Sequence, residues 1–129
     1  MTQADDFGMT FLGLRKILEP YGAKLNVVHD TDSNYYLETS HVMKNKQHLF
    51  FAAVRRGKGY VSFHLMPIYA CSDLLKQISP ELRKRMQGKS CFNFKNVNER
   101  LFKELAQLTK LGFQKFNDPA YLQKILSKQ

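Results

Sequence analysis

The sequence predicts an α+β protein: an antiparallel sheet of about five strands with N- and C-terminal helices packed mainly on one face. Three observations carry that expectation. Apolar residues recur at helical spacing near both ends of the chain, from Phe7 to Leu18 and from Leu101 to Phe116. Between these ends lie segments rich in β-branched and aromatic residues, each bounded by turn residues. The stretch RRGKGYVSFHLMPIY, from Arg55 to Tyr69, reads as the central strand, with Val61, Phe63 and Leu65 on an apolar face and Tyr60, Ser62, His64 and Met66 on a mixed one.

Taken in order, residues 1–6 are polar and read as a frayed lead-in. Phe7, Phe11, Leu14 and Leu18 give a first helix to about Glu19, ended by Pro20 and Gly22. Residues 24–29 alternate as a first strand, and the run from Asp30 to Asn34 is turn chemistry, because short polar side chains bond their own backbone. A second strand over 35–42 and a third over 49–55 flank a polar loop at 44–47. A two-residue type II′ turn at Gly57 and Lys58 would place Val54 opposite Val61, Ala53 opposite Ser62 and Phe51 opposite His64, with Phe50, Ala52 and Val54 on the apolar face. A similar turn at Asn45 and Lys46 would set Tyr36 beside Arg55 and Glu38 beside Ala53. Beyond Pro67 come two short helices, the second from Ser79 as N-cap and Pro80 to Met86, closed by Gly88. Residues 89–95 form a last strand. Asn98 then caps the longest helix, and Asp118 and Pro119 start a final one to about Leu126.

The chain has 129 residues, the size of one domain able to bury a core without disulfides. Its 20 Lys and Arg against 11 Asp and Glu give a net charge of +9, which suits polyanionic partners; the plainer alternative is solubility, since the charges are scattered. Cys71 and Cys91 have no zinc-type spacing and read as free, buried thiols. The acidic start of the chain is unlike a signal peptide, and no apolar run reaches the roughly 20 residues of a membrane span. A reducing, cytoplasmic setting without membrane partners is the expectation.

The segments YVSFHLMPIY (60–69) and SPELRKRMQGKSCFNF (79–94), with the helix behind them, resemble the YdhG-like family of small bacterial α/β domains, over about half of the chain. That resemblance implies an α+β fold, frataxin-like in outline, and no defined activity. It does not bring frataxin's iron chemistry with it: the first helix carries Arg15 and Lys16, with Asp5, Asp6 and Glu19 as the nearby acids, and hard cations need clustered carboxylates. No metal or cofactor is expected.

Four constellations are candidates for chemistry. Glu38, Arg55, Tyr60, Ser62 and His64 would converge on the mixed face of the sheet as a pocket for a small molecule or anion, or as an acid–base site using His64. Arg83, Lys84, Arg85 and Lys89 beside Gly88 could hold an anion, although the Gly-Lys-Ser run enters a strand and not a helix, unlike a P-loop. Tyr35, Tyr36, Phe50, Phe51, Tyr60 and Phe63, between basic loops, would suit a nucleic-acid stacking platform. The four histidines are dispersed, with His41 and His48 able to approach across a hairpin. The chain is expected to be a binding or accessory module for a small molecule or a protein, with nucleic-acid binding and a small enzyme as alternatives, and a homodimer as a possible assembly.

Overall fold

The computed structural model describes residues 4–126. Six antiparallel strands, β1 (Asn26–Asp30), β2 (Asn34–Val42), β3 (His48–Arg56), β4 (Val61–Leu65), β5 (Met86–Gln87) and β6 (Cys91–Phe94), form one sheet in the order β1-β2-β3-β4-β6-β5. The helices are α1 (Ala4–Leu18), α2 (Met66–Ala70), α3 (Ser72–Lys76), α4 (Pro80–Arg83), α5 (Glu99–Phe116) and α6 (Pro119–Leu126), with a 3-10 turn at Glu19–Tyr21. None of the described helices is long and apolar enough to cross a membrane.

The α+β architecture is the expected one, with one strand more than expected. That strand hides in the segment predicted as helix to Met86. The Ser79 cap forms, its Oγ accepting from the Leu82 amide at 3.2 Å, but α4 ends at Arg83. Gly88, with φ of 80°, then turns Met86 and Gln87 back to pair with Phe92 and Cys91. At the other end, α1 begins at Ala4, so the lead-in expected to fray over residues 1–6 is partly helical; acidic residues suit a first helical turn. Residues 1–3 of that lead-in lie outside the described residues.

The hairpin between β3 and β4 is centred one residue later than the sequence suggested, on Lys58 and Gly59, with the Gly57 amide donating to the Tyr60 carbonyl at 2.8 Å. The register moves by two residues: Val54 faces Phe63, Arg55 faces Ser62, and Ala53 faces His64. A two-residue slip preserves parity, so the apolar sets still share a face. Gly57 is not in the left-handed region, so this is not the type II′ turn expected. The β2–β3 loop is also longer than two residues: Lys46 (φ 70°) donates to Met43 and Met43 to Gln47, which sets Tyr36 opposite Ala53 and Glu38 opposite Phe50.

A bulge in β3 corrects one face assignment. Leu37 pairs with Ala52 and Glu38 with Phe50, leaving Phe51 as the extra residue. Leu49 and Phe51 therefore join Ala52 and Val54 in the core, and Phe50 turns to the opposite face. A second bulge, at Val28 in β1, shifts the pairing with β2.

Helices cover one face of the sheet. Phe11, Leu14 and Leu18 of α1 and Leu101, Phe102, Leu105 and Leu108 of α5 are buried with Leu37, Phe63, Leu65, Phe92 and Phe94 of the strands in one cluster. The expected N-cap of α5 is present, Asn98 Oδ1 accepting from the Leu101 amide at 3.1 Å. Glu104 of α5 ties this layer to α4, taking the Ser79 hydroxyl at 2.7 Å and the Ser79 amide at 2.8 Å. Gly112 lets α5 approach α2: a Cβ there would lie 2.6 Å from Cβ of Pro67. The opposite face of the sheet carries none of the described helices.

Candidate functional site

On that helix-free face, antiparallel pairing aligns side chains of one parity into rows across the strands. One row runs His29, Tyr36, Ala53, His64 and Cys91 through successive pairs from β1 to β6. The next runs Asn34, Arg55, Ser62 and Asn93. Glu38 and Phe50 lie on the other side of the first row.

Four rings in unbroken contact cross this face from β1 to β4. His29 meets Tyr36 edge-on at 5.6 Å between centroids, Tyr36 lies 4.8 Å from Phe50, and Phe50 meets His64 at 6.2 Å. The β3 bulge makes the row possible, because it turns Phe50 out between Tyr36 and His64. Tyr36, Phe50 and His64 are half-buried and His29 is exposed, so the rings offer surface while their neighbours hold them in place. Burial, followed by the charge of Arg55, holds the His64 pKa below its ordinary value, so the ring is neutral at pH 7. Burial, followed by Glu38, raises the pKa of the Tyr36 phenol, which keeps its proton.

Of the expected sheet-face set, Arg55, Ser62 and His64 come together: Arg55 and Ser62 are cross-strand partners, and His64 is two residues along β4. Glu38 shares their face but sits across Phe50 from His64. The Ser62 hydroxyl donates to Asn93 Oδ1 at 2.8 Å, not to His64. Asn93 also receives the Cys91 thiol at 3.6 Å and donates to Gln87 Oε1 at 2.6 Å, so one amide links β4, β5 and β6. Cys91 is thus half-buried on the open face, whereas Cys71 is in the core as expected. Burial raises the pKa of both thiols, leaving each protonated at neutral pH.

Tyr60 lies beyond Ser62, on the wall of a hollow of about 380 Å³ that also receives Lys84, Arg85, Gln87, Asn93 and Lys95. The expected anion set is divided. Lys84 and Arg85 enter this hollow, while Arg83 and Lys89 line a separate one of about 440 Å³ near Tyr69. There Arg83 donates to the Leu75 carbonyl at 2.8 Å, and the Lys89 ammonium sits 5.6 Å from the Tyr69 ring centre. Two further hollows lie beside Val42 and Leu122 and beside Arg15 and Asp32; Ser62 and His64 line none of the four.

The aromatic platform read from the sequence is also divided. Tyr35, Phe51 and Phe63 face the core, whereas Tyr36, Phe50 and Tyr60 are on the open face. His29 and His64 complete the row as rings. Among the described residues no three His, Cys, Asp or Glu gather as a metal site, and His48 Nδ1 donates to the Thr39 carbonyl at 2.8 Å. Asn93, Gln87 and Lys95 were not singled out from the sequence; Asn93 was visible only as the inward-or-outward alternate of Phe92 and Phe94. In comparisons with known proteins, the chain matches no family model, no curated protein and no solved structure.

Proposed function

We propose that the protein is a small cytoplasmic binding module whose open sheet face takes single-stranded nucleic acid. The observation that carries this reading is the row of four contacting rings on the open face of the sheet, flanked by Arg55 and by the basic residues at the β5–β6 end. Every base has a π-face, so an aromatic row binds without strict sequence preference, and each stacked base contributes about 1–3 kcal/mol. A base can lie flat on such a surface only where no helix covers it. A small-molecule pocket at Ser62 and His64, or acid–base chemistry by His64, gains less support: the rings fill the neighbourhood, and the serine hydroxyl is engaged by Asn93. The resemblance to YdhG-like domains belongs to the same proposal and names no ligand of its own.

Fluorescence anisotropy with labelled single strands of about ten nucleotides, in RNA and DNA versions and with a duplex control, tests the reading. Single strands should bind more tightly than duplex. Tyr36→Ala and Phe50→Ala should each weaken binding about tenfold or more, while circular dichroism melts confirm that the variants remain folded. Equal affinity of wild type and both folded variants would refute the assignment.

A further inference from the structure

The hollow lined by Tyr60, Lys84, Arg85, Gln87, Asn93 and Lys95 lies next to the ring row in the sheet register, with Asn93 on its near side. Asn93 stands two residues beyond Cys91, the partner of His64, so the hollow begins one row past the last ring. Tyr60, Gln87, Asn93 and Lys95 share the parity of the open face, and the Arg85 carbonyl accepts from the Asn93 amide at 2.8 Å. Three cations therefore enter one concavity, each on an exposed residue. Among the described residues no carboxylate pairs with Lys84, Arg85 or Lys95; the ion pairs formed are those of Arg15 with Glu19 and Asp30 and of Arg100 with Glu81.

Three like charges around one hollow repel one another unless an anion sits between them, and the charge of the anion decides which kind fits. An internal phosphodiester supplies one negative charge and lies along a groove. A terminal phosphomonoester supplies close to two, with three strong acceptor oxygens. Arg, two Lys, the Asn93 and Gln87 amides and the Tyr60 phenol offer donors to all three oxygens. We propose that this hollow is an end-recognition subsite that takes the terminal phosphate of a strand whose bases stack on the ring row. The inference rests on the single-strand reading above and adds a preference for phosphorylated ends, at the 5′ or the 3′ terminus.

The test is a competition binding series on the full chain with one short oligonucleotide in three forms: hydroxyl at both ends, phosphate at the 5′ end, and phosphate at the 3′ end. One phosphorylated form should bind about tenfold or more tightly than the hydroxyl form, the strength of charge-assisted hydrogen bonds to a dianion. Arg85→Ala should reduce that ratio to less than about threefold, and Lys95→Gln should reduce it in the same direction. Tyr36→Ala should weaken all three forms while leaving the ratio between them. Equal binding of the three forms would overturn the end-recognition subsite and leave the stacking surface standing. A preference that persists in both the Arg85 and the Lys95 variants would overturn the placement in this hollow, and absence of binding by every form would overturn both readings together.

Discussion

At the scale of single residues, His64 shows how position on the sheet changes what a side chain can do. Its ring is packed edge-on against Phe50 and near Arg55, and burial with that neighbouring charge lowers its pKa. The folded state therefore takes up a proton less readily than the unfolded chain. Above the ordinary histidine value of about 6.5 both states are neutral and stability is unaffected; as pH falls through that value toward the lowered folded one, the unfolded chain gains the proton first and stability is lost. Melting temperatures measured from about pH 8 to about pH 5 should fall more steeply for wild type than for His64→Gln. Parallel curves for the two proteins would contradict the burial assigned to this ring. The placement of His64 on the mixed face was legible from alternation alone. Phe50 and Phe51 were not, because 49–54 is an unbroken apolar run without alternation, and only the bulge opposite Leu37 decides which phenylalanine faces solvent.

At the scale of elements, the legible parts were those with local chemistry. Ser79, Asn98 and Pro119 start helices where capping side chains and a proline predict them. The β5 strand was not legible, since two residues carry no periodicity and their pairing depends on β6 and on Gly88. The contact between α5 and α2 lies between these cases: Gly112 was visible on the apolar stripe, but its neighbour Pro67 is 45 residues away in sequence. A methyl group at Gly112 would meet Cβ of Pro67 at 2.6 Å and its Cγ at 2.7 Å, and a proline ring cannot swing aside. Alanine ordinarily favours a helix interior over glycine by about 1 kcal/mol. Here the overpacking cost of about 1–3 kcal/mol should win, so Gly112→Ala should lower the denaturation midpoint. An unchanged or raised midpoint would show that the two helices separate easily.

For the whole molecule, the +9 charge was legible but its destination was not, because basic residues spread along a sequence can still gather in space. Several acids are engaged elsewhere: Glu19 and Asp30 by Arg15, Glu81 by Arg100, and Glu104 by Ser79. Arg55, Lys84, Arg85 and Lys95 are left beside the ring row. If each meets one phosphate, a log–log plot of affinity against salt should have a slope of about −3, from about −0.7 per contact on a single strand. A slope near zero would show that these cations make no contact with the strand. The bulge at Val28 has its own consequence at this scale. Every residue of β1 is exposed, Val27 and Val28 at 43% each, and a straight strand of that kind would act as a seed on which further chains add edge to edge into a growing fibre. The displaced ladder at Val28 breaks the regular spacing that such templating needs, and at the opposite edge β5 is only two residues long. With both margins unsuited to propagation, a sheet can keep one broad face uncovered for a ligand without recruiting copies of itself.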